Sequence, residues 1–314
     1  MSEEPEGPDP AAGAESETES RDADAKLDAI LQDPRPGLYQ GLTYDEYAMI
    51  PAINFSKLRR FIHTAAHARY YMDHPPEETK ALRFGHLMHA VLLEPRSVDE
   101  QFMAMPKVDR RTKAGKAAWA QAQIAAQART IVTEEELAMC HNIRHNISQH
   151  PTARELLLGA GGANEVSVIW RDEATEVLCK SRWDRLGPIG AQGVLGDIKS
   201  SGKVASLRNW QRACYDYGYF EQAAMYLDGA NALYPLPEDQ RREFMWLVVE
   251  KDLPNLIRVF KADDDALEFG YQEFRRHLDA YAECLTKGEF PGWEEGFELA
   301  GLPGWAQKAF DATL

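Results

Sequence analysis

The chain has no long hydrophobic run. Nowhere does an apolar stretch approach the roughly 20 residues of a membrane-spanning helix. Its start lacks the basic residues and apolar run of a secretory signal, because Met1 is followed by Ser2, Glu3 and Glu4. A cytoplasmic protein with no membrane partner is therefore expected. Cysteine is scarce: Cys140, Cys179, Cys214 and Cys284 are the only four, and no two form a CxxC pair. That spacing speaks against a structural zinc site or an iron–sulfur cluster, and the thiols are expected reduced and mostly buried. Positive charge is also short, since 35 Lys and Arg against 50 Asp and Glu leave a net charge of −15. Residues 1–36 carry eleven acids and three bases, so −8 lies there and −7 in the rest. Such a total cannot attract a polyanion at long range. Any contact with nucleic acid must use local basic patches and metal ions.

What is present is enough for a core, since 44% of 314 residues are apolar. Residues 1–36 are expected to form an acidic tail. Residues 1–25 in particular hold no large apolar side chain beyond Met1, too little to offset chain entropy. As a functional alternative, such a tail mimics nucleic acid or docks a partner.

Residues 37–314 read as one folded domain, mainly helical over 37–160 and sheet-containing over 161–314. Helices are expected at 42–47, over 54–71 with Ser56 as N-cap, and over 81–93 before Glu94-Pro95. Residues 107–130 suggest a basic loop entering an exposed helix. Thr133-Glu134-Glu135-Glu136 is a capping-box pattern for a helix to about Ser148, and another short helix starts at His150-Pro151. Three strand-like runs follow at 165–171, 176–184 and 192–199, then a long helix over 206–233. A hairpin at 244–260 turns around Asp252-Leu253-Pro254-Asn255. An amphipathic helix at 263–287 and a loop-rich cover from Trp293 to Trp305 complete the chain. The order implies an α/β (α+β) fold, a mixed central sheet flanked by helices with a helical N-terminal part.

Two of the three strand-like runs end in carboxylates, Asp184 and Asp197. Lys199, two residues beyond Asp197, projects to the same face of its strand. Two carboxylates are enough protein ligands for Mg²⁺, which keeps several waters, and the carbonyl of Ile198 is a further candidate donor. A divalent ion polarises a phosphate and lowers the pKa of an attacking water, while the Lys199 ammonium balances developing charge. Gln222 and Tyr226, at i,i+4 on the next helix, can hydrogen-bond the lysine or a phosphate. Glu165, opening the first run, is placed either at the metal through a water or at the surface. Either His86 or His89 on the apolar helix is a candidate imidazole ligand, and helical spacing does not choose between them. Lys107, Arg110, Arg111, Lys113 and Lys116, with Trp119 following, form a candidate phosphate-tracking segment. This combination points to metal-dependent phosphodiester cleavage.

The same residues resemble a known family. Ile50-Pro51-Ala52, Ala81-Leu82-Arg83-Phe84-Gly85 with His89, Lys107 through Lys116, and Glu165–Trp170 match in order. Lys180-Ser181-Arg182-Trp183-Asp184, Asp197-Ile198-Lys199, Tyr217-Gly218-Tyr219 and Gln222-Ala223-Ala224-Met225-Tyr226 continue the series. Over residues 39–305 the chain is similar to the nuclease domain of exodeoxyribonuclease VIII (RecE) and its phage relatives, in the PD-(D/E)xK superfamily. The resemblance implies a restriction-endonuclease-like core, with His89 rather than His86 as a metal ligand beside Asp184 and Asp197. It makes Lys199 the catalytic lysine and matches Gln222 and Tyr226 to the family's glutamine–tyrosine helix; Glu165 matches less closely. It further implies Mg²⁺-dependent (or Mn²⁺-dependent) digestion of double-stranded DNA from an end, 5′ to 3′, leaving 3′ single-stranded tails. A ring of copies and a single-strand annealing protein as recombination partner belong to the same expectation. Alternatives are an endonuclease or a nuclease of other polarity in the superfamily, a catalytically weak DNA-binding recombination scaffold, or a metal-free structural protein. The acidic tail lies outside the resemblance, and Ser200 stands where threonine is common.

Overall fold

The computed structural model describes residues 26–187 and 193–312. Six strands build the main sheet: β1 (Gly37–Tyr39), β4 (Ala163–Arg171), β5 (Leu178–Leu186), β6 (Val194–Ser201), β7 (Glu243–Glu250) and β8 (Ile257–Lys261), adjacent in that order. All neighbours are antiparallel except β6 and β7. Parallel neighbours need a crossover. It is made by α9 (Leu207–Tyr217) and α10 (Tyr219–Leu233). A separate parallel pair, β2 (Phe102–Met105) and β3 (Thr130–Thr133), went undetected in the sequence because each strand is only four residues long.

Alternation along the strands divides the core into two layers. On β7, Phe244, Trp246 and Val248 pack with α9, α10 and α11 (Asp264–Lys287). Leu247 and Val249 face the other layer, with Ile198 of β6 and the apolar sides of α4 (Lys80–Leu93), α7 (Glu134–Gln149) and α8 (Pro151–Leu158). This is the mixed, helix-flanked sheet expected. The Thr133–Glu136 capping box and the hairpin also form. Among the described residues, no helix is long and apolar enough to cross a membrane.

Several boundaries differ from expectation. Residues 26–32, within the expected 1–36 tail, are helical, and Ile30 and Leu31 pack against Tyr47, Ile50 and Ile169. Residues 1–25, and Gln192 of the third strand run, lie outside the described residues. The helix expected over 54–71 is three pieces: α2 (Phe55–Leu58), a 3₁₀ turn (Arg59–Ile62) and α3 (Ala65–Asp73). Asn54, not Ser56, caps the first by accepting from the Lys57 amide, and Thr64 caps the last. The 206–233 helix breaks at Gly218, whose φ of +74° is left-handed backbone that glycine adopts without strain. The segment from Trp293 to Trp305 is loop-rich, but Trp293, Phe297, Leu299 and Trp305 are exposed rather than covering the core.

Alternate residues on one face of β5 anchor α1 (Tyr44–Met49). Lys180, fully buried, donates to the carbonyls of Tyr47, Ala48 and Ile50 at 2.7–3.0 Å, capping the end of α1. Arg182, two residues on, donates to the Leu42 carbonyl at 2.6 Å, just before the Thr43 N-cap. Asp184 is next on that face.

Candidate metal centre

The site lies where β5 and β6 part. Those strands pair only at Arg185↔Gly196 and Leu186↔Leu195, whereas β6 follows β7 over its whole length. Beyond the short pairing, the β6 edge facing β5 has no strand against it among the described residues. The amide of Ile198 uses that freedom to donate to Asp184 Oδ2 at 2.6 Å. In extended backbone the N–H and C=O of one residue leave the same edge, so the Ile198 carbonyl faces the same gap.

Three side chains from different elements converge there. One ligand atom each from His89 on α4, Glu165 on β4 and Asp184 on β5 lies within 4.8 Å of the others. His89 Nδ1 is 3.3 Å from Glu165 Oε1 and 3.6 Å from Asp184 Oδ1. Glu165 sits opposite Asp184, between the pairs Asn164↔Arg185 and Val166↔Trp183. Its φ of +51° is unusual for a non-glycine residue inside a strand, a conformation that costs on the order of 1–3 kcal/mol unless its surroundings hold it.

A second group adjoins it. Asp197 and Lys199 on β6 form an ion pair, as their shared face requires. Gln222 Nε2 donates to Asp197 Oδ1 and to the Tyr226 hydroxyl, both at 3.1 Å. The Lys199 ammonium also lies 4.9 Å from the centre of the Tyr219 ring.

The charges respond to this crowding. Burial disfavours the His89 imidazolium, yet Asp184 and Glu165 outweigh it and raise its pKa to about 9. Burial, then the neighbouring Asp197 and Glu165 charges, raise the Asp184 carboxyl against the attraction of His89. Glu165 is lowered despite burial, because His89 and Arg182 favour its carboxylate. Lys199 is likewise raised in spite of burial, chiefly by Asp197, so it stays an ammonium. Burial lifts the Tyr226 phenol well above its ordinary value.

One imidazole and clustered carboxylates are a donor set suited to a divalent ion that accepts oxygen and nitrogen. Gln222 Oε1, buried with no hydrogen-bond partner among the described residues, is a further acceptor that a hydrated cation would satisfy. The residues present fit such an ion.

Of the residues singled out in the sequence, His89, Glu165 and Asp184 meet as one cluster, and Asp197, Lys199, Gln222 and Tyr226 as its neighbour. His86 is instead bound to Glu78 at 3.0 Å and lies against the Tyr44 ring. The basic residues have local partners. Arg111 pairs with Asp109, Lys107 lies 3.6 Å from Glu135, and Arg110 stacks over Trp119 at 4.4 Å. Lys113 and Lys116 stand exposed in the first turn of α6 (Lys113–Ala126). Sequence reasoning gave no site role to Tyr219, Arg182 or Glu94. The half-buried Glu94 carboxyl is raised by burial and by Glu165. For Arg182 the signal was there: the alternation Lys180, Arg182, Asp184 puts it on the ligand face.

A helix-flanked mixed sheet with Asp184 and Asp197-Ile198-Lys199 on adjoining strands is the PD-(D/E)xK type of core. A family model described as a PDDEXK-like domain of unknown function (DUF3799) matches residues 54–300, and the chain belongs to that family. Among solved structures the chain is similar to a candidate exonuclease from Eubacterium rectale, with a TM-score of 0.53 and 13% identity. That alignment covers 86% of this chain and 98% of the other, and at such identity it bears on the fold alone. A protein described as SSO0001 aligns over 77% of this chain and 88% of its own, at 13% identity. Its TM-score of 0.26 carries no structural argument. No curated protein matches.

Proposed function

We propose that the chain is a metal-dependent nuclease, and more specifically an exodeoxyribonuclease that digests linear double-stranded DNA with Mg²⁺. The observation that carries this reading is the convergence of His89, Glu165 and Asp184 beside the Asp197–Lys199 pair. Membership of a PDDEXK-like family and a fold neighbour described as a candidate exonuclease support it. The 5′ to 3′ direction, the 3′ single-stranded product, a ring of copies and an annealing-protein partner rest on the resemblance to the exodeoxyribonuclease VIII family.

Mg²⁺, held by His89, Asp184 and Asp197 with Glu165 and the Ile198 carbonyl at hand, would polarise the scissile phosphate and activate a water. Lys199, kept protonated by Asp197, supplies a cation where charge grows on the phosphate oxygens. Gln222, braced by Tyr226, holds one oxygen of Asp197 and so fixes which oxygen faces the lysine. As a ligand His89 would have to be neutral, so it would give up its proton when an ion binds. Exposed lysines and arginines at 107–116 bind phosphates along the duplex.

Linear duplex DNA labelled at its 5′ or 3′ ends, run beside a covalently closed circle, tests the reading. With Mg²⁺ the 5′ label should be released first and the circle survive, and EDTA should stop all cutting. Cleavage of the circle would move the assignment to an endonuclease, and early loss of the 3′ label would reverse the direction. Light scattering showing only a monomer at low micromolar concentration would remove the ring.

A further inference from the structure

The left-handed backbone of Glu165 does not hold itself. Its carboxylate is gripped from one side: Arg182 Nε donates to Glu165 Oε2 at 2.5 Å. The same guanidinium donates through Nη1 to Ser167 Oγ at 3.2 Å and to the Leu42 carbonyl at 2.6 Å. Ser167 is the register partner of Arg182 across β4 and β5, so the guanidinium spans two strands and the entry to α1. With its side chain 9% exposed, Arg182 makes these charge-assisted bonds away from competing water. Oε1 of Glu165 is left to face His89.

We infer that Arg182 is a positioning residue for the metal centre. By fixing Oε2 it presents Oε1 of Glu165 toward His89 and Asp184, and through Leu42 it ties that geometry to the docking of α1. The inference deepens the nuclease reading but stands on metal binding, which is measurable without DNA.

The sign of the effect separates positioning from charge. A guanidinium this near a divalent cation repels it. Acting through charge alone, its removal would tighten metal binding. Acting through position, its removal frees Glu165 to leave its strained conformation, and binding weakens. Lysine keeps the charge but has no planar fork to reach Glu165, Ser167 and Leu42 together. Charge alone therefore predicts no change for Arg182→Lys, and positioning predicts a loss.

Calorimetric titration with Mn²⁺, in the absence of DNA, tests this on the whole chain. Arg182→Gln and Arg182→Lys should each weaken Mn²⁺ binding by about tenfold or more, the usual range for groups that orient a ligand. Glu165→Gln should do the same, and the double variant Glu165→Gln/Arg182→Gln should bind no more weakly than Glu165→Gln alone, because both act through one carboxylate. Unchanged or tighter binding by folded Arg182→Gln, or additive losses in the double variant, overturns the inference. If Arg182→Gln does not fold, Ser167→Ala decides. It removes one anchor of the guanidinium without altering charge, and about threefold weaker binding at unchanged Tm is expected; unchanged binding overturns the inference. A wild-type protein that binds no Mn²⁺ overturns both the inference and the nuclease reading. Mn²⁺ binding without cleavage of any DNA overturns the nuclease reading alone.

Discussion

At the scale of residues, two adjoining clusters have different work. His89, Glu165 and Asp184 converge as a donor set that fits a cation. Asp197, the further proposed ligand, links that cluster to a hydrogen-bonded charge arrangement with Lys199, Gln222 and Tyr226. Lys199→Met should leave folding intact and lower the cleavage rate on the order of 10²–10³-fold, as loss of one charge-stabilising donor does elsewhere. Single-turnover digestion measures it, and a rate within twofold of wild type would contradict the role given to Lys199. The pH dependence has a definite sign. Without metal, His89 binds its proton up to about pH 9 and the Asp184 carboxyl is raised, so protons compete with the cation. Mn²⁺ affinity should therefore rise between about pH 6 and 9, with proton release visible as a buffer-dependent heat of binding; a flat profile would contradict a His89 ligand. Much of this was legible in the sequence, because Asp-x-Lys on a strand and Gln-x-x-x-Tyr on a helix fix side-chain direction by periodicity. Glu165 was named there but left between the metal and the surface, because its orientation depends on a left-handed φ and on Arg182, neither of which has a period.

At the scale of elements, strand divergence makes the site. β5 leaves β6 after two paired positions, and Asp184 takes the Ile198 amide that a continuous ladder would have used. The sequence revealed the three strand runs but not their parting, which depends on where tertiary packing ends a ladder. It likewise revealed helical stretches but merged those broken at Gly218 and around the 3₁₀ turn. Gly218 is needed twice over, since a side chain there would sit 2.5 Å from Arg59 Nε in addition to the left-handed φ. Gly218→Val should lower Tm and, by shifting α10, slow cleavage; thermal unfolding equal to wild type would contradict this. Lys180 is the other anchor. Lys180→Met leaves three carbonyls at the end of α1 without their donor, and should cost about 2–4 kcal/mol in denaturant unfolding. A loss below about 0.5 kcal/mol would show that the cap is dispensable.

At the scale of the whole molecule, the proposed function asks an acidic chain to meet an acidic substrate. With a net charge of −15, the proposed contact would fall to the 107–116 segment and to the candidate metal centre. Replacing Lys107, Arg110, Lys113 and Lys116 by alanine should weaken duplex binding and flatten its salt dependence, by about 0.9 in slope for each phosphate no longer neutralised. Fluorescence anisotropy at several salt concentrations reads both, and an unchanged slope would place the DNA path elsewhere. The fold class, a helix-flanked mixed sheet, followed from the order of elements alone. The direction of cutting and the partners are properties of a complex, and no spacing within one chain encodes them.

The central claim is that His89, Glu165, Asp184 and Asp197 gather one divalent ion beside Lys199 to cut DNA. It is tested most directly by digesting end-labelled linear duplex with wild-type protein and with Asp184→Asn, each with Mg²⁺ and with EDTA. Label release by wild type in Mg²⁺ only, and its near-complete loss in a folded Asp184→Asn variant, is the predicted result. Release that persists in EDTA, or in Asp184→Asn at the wild-type rate, would contradict it.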